Sequence, residues 1–260
     1  MATIRLTERD LRILDTLHLH RVLTTPQIGE LFFSGTASRA AQRRLLGFAE
    51  NDLADRFTPR HHGWNAPHHW TLGPEGARVV ATRLGLTPKQ IGYRPDTHLR
   101  LRASTRLGHA TGLAQTYVRF ATTARATPGA TLQRWWSEAR CRTAWGHRVC
   151  PDGYLRWRQD GTTLDAFVEY DTGTEPLVRL TEKISRYRDL AVETRLATPV
   201  LFVVPGPRRL TSLCRVLDGG PRVPVHVTTH ARLAYPGPTR PVWRRAGDPD
   251  CGVRPLVELA

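Results

Sequence analysis

The chain has 260 residues, and its hydrophobic content of 40% is enough for one or two packed domains. No apolar run approaches the roughly 20 residues that span a bilayer, and residues 1–7 lack the apolar core of a secretory signal, so we expect a cytoplasmic protein without a membrane partner. The net charge of +15 predicts a polyanionic partner, and nucleic acid is favoured over a membrane because no basic amphipathic helix is evident.

Three helices are predicted in the first 50 residues. Thr7 is suited to cap the first, and leucines three residues apart continue it to about His18. Thr25-Pro26 opens the second, because proline is favoured in the first turn of a helix. A Ser34-Gly35-Thr36 turn leads into the third helix, residues 37–50. The short turn between the second and third helices is typical of a helix-turn-helix element.

Two short strands and a fourth helix follow. The stretches 56–60 and 69–72 read as a ribbon around a loop of Gly, Asn and Pro, and a helix then runs from Gly73-Pro74 to Leu84. Three helices, a β-wing and a closing helix predict a winged helix-turn-helix domain over residues 1–85.

The third helix and the wing carry the expected DNA contacts. Arginine and glutamine pair with guanine and adenine edges, and arginines on a wing suit phosphates. The residues predicted to contact double-stranded DNA are Ser38, Arg39, Gln42 and Arg43 on the helix and Arg56 and Arg60 on the wing. The alternatives are a solvated helix face, or a winged helix that binds another protein. The oligomeric state stays open, a homodimer included.

Residues 86–103 read as a linker, and the pattern changes in a second domain over residues 104–260. There the sequence predicts helices at 107–125, 175–196 and 207–217, strands at 132–140, 154–158, 164–170, 200–204 and 223–227, and a loop at 235–250. This order predicts a mixed sheet flanked by helices, an α/β domain in a chain that is α+β overall.

Seven acidic residues between Asp165 and Glu193 stand out in so basic a chain. Asp152 begins one predicted strand and Glu169 lies near the end of the next, so the two can meet across a hairpin. With Asp171 they form a carboxylate set for Mg²⁺ or Mn²⁺, which can polarise a phosphodiester and generate a hydroxide. Lys183 would stabilise the charge on phosphorus. The alternative is a set of strand-end acids paired with the abundant arginines.

This spacing of Asp152, Glu169 and Asp171 before a helix resembles the PD-(D/E)XK nuclease fold. Together with the N-terminal pattern, the chain resembles the replication-relaxation proteins of actinobacterial plasmids and integrative elements. The matching stretches are 6–17, 70–76, 107–120, 151–153, 169–187 and 201–205. The resemblance implies a role in plasmid replication, or in relaxing plasmid DNA by nicking. Asp171 stands where a lysine usually follows the glutamate, and Lys183 on the next helix is the candidate to replace it.

Other constellations favour ordinary structural roles. The cysteines at 141, 150, 214 and 251 show no C-x-x-C spacing, which favours free thiols over a zinc site. His18-Leu19-His20 matches the His-hydrophobe-His motif of relaxases, with Tyr170 or Tyr187 as a nucleophile, but that motif belongs on a strand and here it ends a helix.

The basic excess also has a compositional explanation. Only Lys89 and Lys183 are lysines, against 36 arginines, which indicates a GC-rich genome. Such a bias selects arginine over lysine but does not create an excess of positive charge.

Two hypotheses follow. The first is a DNA-binding protein of a plasmid or mobile element whose second domain nicks or cuts DNA with Mg²⁺ or Mn²⁺. The second is a non-enzymatic origin-binding protein or transcriptional regulator with a nuclease-like scaffold domain. The direction of Lys183 separates them, since a lysine that points away from Asp152 and Glu169 favours the scaffold.

Overall fold

A computed structural model describes residues 4–33, 37–59, 66–248 and 252–260, with the side chains of residues 37 and 38 outside that description. The protein is a mixed α/β structure whose chain divides into two compact units, Met1–Val118 and Arg119–Ala260. In the part of the chain so described, no helix combines the length and the apolarity needed to cross a membrane.

The first unit contains the predicted helices and a small sheet. Its helices are α1 Glu8–His20, α2 Thr25–Phe32, α3 Ala37–Glu50, α4 Pro74–Arg83, α5 Thr97–Arg102 and the first part of α6 Leu107–Ala126. Its strands are β1 Leu23–Thr24, β2 Ala54–Phe57 and β3 His69–Leu72, antiparallel in the order β1-β3-β2. Strand β1 was not predicted, because two residues show no periodicity.

Side-chain caps explain where the first two helices begin. The hydroxyl of Thr7 and the carboxylate of Asp10 form a capping box on α1, and Thr24 and Gln27 form a second one on α2. Each box satisfies backbone N–H groups that a helix leaves without partners at its start. The apolar faces of α1, α2 and α3 then pack on Trp70, which is fully buried in β3.

Asp10 also joins α1 to α3. Its carboxylate is fully buried and accepts hydrogen bonds from the backbone N–H of Thr7 at 2.7 Å and from Arg44 Nε at 2.8 Å. Burial alone would raise the pKa of Asp10, but the hydrogen bonds from Arg44 and Thr7 outweigh it and hold that pKa below its ordinary value.

The second unit is built on a seven-stranded mixed sheet in the order β10-β9-β8-β7-β6-β5-β4. Its elements are β4 Ala130–Ser137, α7 Glu138–Trp145, β5 Gly153–Gln159, β6 Thr162–Tyr170, α8 Leu177–Thr194, β7 Val200–Val204, α9 Pro207–Val216, β8 Val225–Thr229, α10 His230–Ala234, β9 Trp243–Arg245, β10 Val253–Arg254 and the 3₁₀ helix η1 Leu256–Leu259. Strands β6, β7 and β8 are parallel and the other pairs are antiparallel. The predicted mixed sheet is confirmed.

A two-residue turn fixes the register of β5 and β6. Asp160 and Gly161 connect the strands with φ angles of 49° and 85°, the positive values that a type I′ hairpin turn requires. The resulting register pairs Gly153 with Val168, so the start of β5 lies beside the end of β6.

Three sequence interpretations were wrong in detail. The stretch 132–140 is not one strand, because β4 ends at Ser137, an N-cap type of residue, and α7 begins at Glu138. The predicted linker contains α5, and the predicted loop at 235–250 contains β9, whose Trp243 is fully buried. Aromatic residues at 135 and 136 extended the apparent strand, and three-residue strands such as β9 fall below what periodicity detects.

We predict that Asp10→Asn lowers the free energy of unfolding by about 2–4 kcal/mol at neutral pH, because Arg44 and Thr7 lose a buried acceptor. The folded pKa of Asp10 is depressed, so its contribution is present above the unfolded pKa and is lost as pH falls through the folded pKa. Urea denaturation at pH 7 and pH 3 measures both effects. Asp15→Asn is the control, since the ion pair between Asp15 and Arg83 is exposed. An equal loss in both variants contradicts the prediction.

Candidate functional site

Two predicted site carboxylates lie at neighbouring strand ends in the second unit. Asp152 directly precedes β5 and is half-buried, and its Oδ2 accepts a hydrogen bond of 2.9 Å from the backbone N–H of Tyr170. Glu169 is the second-last residue of β6 and is only 3% exposed. The hairpin therefore brings the two residues to the same end of the sheet, as the sequence predicted.

Helix α8 supplies the partners of Glu169. Lys183 Nζ lies 2.5 Å from Glu169 Oε2, and the hydroxyl of Tyr187 donates a hydrogen bond of 2.5 Å to Oε1. The two residues are four positions apart, so they project from one face of the helix. Lys183 thus points toward Glu169, which is the direction that the nuclease hypothesis requires.

The burial of Glu169 dominates its electrostatics. Burial raises the pKa of Glu169 to about 8, Lys183 opposes this rise in part, and the negative charge of Asp152 adds to it. Burial would lower the pKa of Lys183, but attraction to Glu169 and Asp152 outweighs it and holds that pKa above its ordinary value. Lys183 therefore stays charged at neutral pH, and burial makes the carboxylate of Glu169 take up a proton at a higher pH than an exposed glutamate does.

Asp171 is engaged elsewhere. Arg209, on α9, donates to its carboxylate from Nε at 2.5 Å and from Nη2 at 3.2 Å, and the backbone N–H of Gly173 donates to Oδ1 at 2.9 Å. In this bidentate pair the side chain of Asp171 is 2% exposed and that of Arg209 is 17% exposed. Over the described ranges, no group of three or more His, Cys, Asp or Glu side chains is arranged to hold a metal ion. The metal site stays a prediction: Asp152 and Glu169 lie at the same end of the sheet, whereas Asp171 is paired with Arg209.

Two partners were missed from the sequence. Arg209 lies 38 residues after Asp171, a separation that no local pattern reveals. The sequence offers Tyr187 as a nucleophile, but in the structure its hydroxyl donates a hydrogen bond to Glu169. Its position four residues after Lys183 is the sequence feature that indicates this contact. Glu138, the first residue of α7, pairs with Arg142.

The predicted DNA contacts lie in the first unit. Arg39, Gln42 and Arg43 are exposed on one side of α3, and Arg56 is exposed on β2. The side chain of Ser38 and all of Arg60 lie outside the described residues. The inward side of the same helix has a structural role, since Arg44 forms an ion pair with the buried Asp10.

The His18-Leu19-His20 motif ends α1, as expected, and serves packing. The ring of His20 is buried against Tyr117, with ring centroids 4.4 Å apart. Burial lowers the pKa of His20 to about 3, so this ring is neutral at physiological pH. The described cysteines, Cys141, Cys150 and Cys214, are free thiols.

Comparison with known proteins gives one match. A family model described as replication-relaxation matches residues 14–204, a span that includes most of the first unit and the strands and helix that carry Asp152, Glu169 and Lys183. No curated protein and no solved structure matches the chain.

We predict that Glu169→Gln changes the pH dependence of stability. The folded pKa of Glu169 lies above its unfolded value, so the stability it contributes in acid is lost as pH rises toward 8. Between pH 5 and pH 8 the wild-type protein should lose on the order of 2–4 kcal/mol of unfolding free energy relative to the variant. Urea denaturation across this range measures the difference.

Glu193→Gln is the matched control, because Glu193 also lies on α8 but is exposed and paired with Arg148. Its stability curve should run parallel to that of the wild type. Parallel curves for Glu169→Gln and the wild type would show that Glu169 titrates normally.

Proposed function

The chain belongs to the replication-relaxation family, and from this premise we propose that it binds duplex DNA of a plasmid or mobile element and nicks it during replication or relaxation. The first unit supplies DNA recognition, and the strand ends of the second unit supply the chemistry. The observation that carries the proposal is the approach of Lys183 to Glu169 beside Asp152.

DNA recognition is assigned to α3 and the β2–β3 ribbon, acting as a winged helix-turn-helix. Arg39, Gln42 and Arg43 are spaced by three and four residues, so they lie on one exposed helix face. Arginine and glutamine at the centre of such a face suit base edges in a major groove, and Arg56 on β2 suits a phosphate.

Cleavage is assigned to Asp152, Glu169 and Lys183 with Mg²⁺ or Mn²⁺. Two carboxylates fit such an ion, because magnesium sites in enzymes commonly use one or two carboxylates together with water and substrate phosphate. The ion would activate water and neutralise charge on the phosphodiester. Asp171 is proposed as a further ligand, a role that requires it to exchange Arg209 for the ion.

Hydrogen bonds and charges within the protein orient the proposed site without an ion. Lys183 keeps its positive charge beside the carboxylates, where it can stabilise negative charge on a phosphate oxygen. Tyr187 fixes the orientation of Glu169 by donating to Oε1. The N–H of Tyr170 likewise fixes Asp152.

A second candidate function is a non-enzymatic origin-binding protein or regulator. The observation that favours it is that the acids already have partners within the protein: both oxygens of Glu169 accept hydrogen bonds, and Asp171 is paired with Arg209. In this case the acid–lysine cluster stabilises the sheet–helix packing, and the second unit acts as a scaffold. Measurement of DNA nicking separates the two functions.

We predict that Arg39→Ala with Arg43→Ala weakens specific binding to duplex DNA by about 2–5 kcal/mol, because two base-edge contacts are lost. Fluorescence anisotropy with a labelled duplex from the element's origin measures this change. Arg78→Ala with Arg83→Ala is the control, since it removes the same charge from the exposed side of α4. If both double variants bind alike, α3 is not the recognition helix.

We predict that Lys183→Ala reduces Mn²⁺-dependent nicking of a supercoiled origin plasmid by about 10²-fold or more, while DNA affinity is kept. Lys89→Ala is the control, because Lys89 is the only other lysine and is exposed in the first unit. Asp152→Asn and Glu169→Gln should lose both nicking and Mn²⁺ binding in calorimetry. A wild-type protein that fails to nick the origin plasmid with every divalent metal tested supports the scaffold instead.

A further inference from the structure

Strands β4 and β5 carry arginines on the side of the sheet that faces α7. Arg134 stands directly opposite Arg156 in the register of the two strands, and Arg158 follows two residues later on the same side. Arg140 reaches this side from α7, where its guanidinium lies over the ring of Trp136. Arg134, Arg140 and Arg158 are exposed, and we call these three residues the arginine surface.

The acids near the arginine surface are hydrogen-bonded to other residues. Asp165 is bound by Arg156 through two hydrogen bonds of 2.8 and 2.9 Å and by the hydroxyl of Tyr154. Glu138 is bound by Arg142. Among the residues that the structure describes, Arg134, Arg140 and Arg158 form no ion pair with a carboxylate.

The fold alone does not account for this arrangement. Like charges placed directly opposite each other on neighbouring strands destabilise a sheet, and Arg134 faces Arg156 in this way. Asp165 forms its ion pair with Arg156, and it attracts Arg134 electrostatically without pairing with it. An anionic partner would offset the repulsion that the free protein retains.

Trp136 gives the arginines a fixed platform. The guanidinium carbons of Arg134 and Arg140 lie 5.8 and 5.1 Å from the centre of its ring. The remaining ring surroundings are occupied by Trp145 and Tyr154, each with a centroid distance of 5.1 Å. Trp136 is thus half-buried among two aromatic rings and two guanidinium groups, which favours contacts of the arginines with phosphates over stacking of an unpaired base on this ring.

We propose that the arginine surface binds the phosphate backbone of duplex DNA, as a contact additional to α3. The proposal rests on the proposed DNA binding of the chain. Guanidinium groups held on two strands and the adjoining helix suit the phosphates of a duplex backbone, and contacts of this kind carry no sequence information. The surface lies on the same side of the sheet as Glu169, since Asp165 and Glu169 are four residues apart on β6.

The test is the salt dependence of binding by the full chain. Arg134→Gln, Arg140→Gln and Arg158→Gln together should lower the slope of log affinity against log salt by about 2–3, since each phosphate contact contributes about 0.9. Affinity for any duplex sequence should fall on the order of 10- to 100-fold at low salt. A slope equal to that of the wild type overturns the proposal.

The control variant is Arg208→Gln, Arg215→Gln and Arg222→Gln, which removes the same charge from exposed arginines of α9 and the segment after it. It should keep most of the wild-type slope, and a loss equal to that of the first variant would mean that only net charge matters. A single-stranded oligonucleotide of equal length should bind more weakly than the duplex, and equal binding would overturn the assignment to duplex DNA.

The Arg39→Ala, Arg43→Ala variant distinguishes this proposal from the proposed function. If it binds as the wild type does while the Gln variant loses slope, recognition by α3 fails and the arginine surface stands. If only the α3 variant weakens binding, the arginine surface fails and the proposed function stands. A wild-type protein that binds no duplex DNA removes both.

Discussion

Glu169 places an ionisable carboxyl group in the interior of the second unit, where an oxygen without a partner would be strongly destabilising. Helix α8 must therefore lie across the end of β6 so that Lys183 and Tyr187 reach both oxygens. The apolar face of α8 (Leu180, Ile184 and Leu190) packs on the sheet and holds the helix at that height. The packing of the core and the geometry of the candidate site are thus one arrangement.

Among the described residues, three carboxylates are each held by an arginine. Asp10 is held by Arg44, Asp165 by Arg156 and Asp171 by Arg209, each through more than one hydrogen bond. The planar guanidinium matches a carboxylate in two places, which an ammonium cannot do. Of the buried acids that the structure describes, Glu169 alone is paired with a lysine, and it lies at the candidate catalytic position.

Much of this could be predicted from the sequence, and the failures have physical reasons. Helices α1 to α4 follow from apolar spacing and caps, and the approach of Asp152 to Glu169 follows from two consecutive strands. The position of Lys183 near Glu169 could be predicted because a helix that directly follows a strand packs back on that strand. The pairing of Asp171 with Arg209 could not be predicted, because contacts between residues distant in sequence depend on the order of the strands. Neither β6 nor β7 has a sequence pattern that reveals their parallel pairing.

The Asp160-Gly161 turn has a consequence for how the protein family can vary. Side chains alternate between the two faces of a strand, so a shift of β5 against β6 by one residue would send Glu169 or Asp152 to the wrong side of the sheet. The site therefore tolerates insertions in this turn poorly, although the turn lies at the other end of the hairpin from both carboxylates. The length of the turn is constrained because it sets the positions of Asp152 and Glu169, with which the turn has no contact. Substitutions that keep the backbone conformation of the turn are free of this constraint.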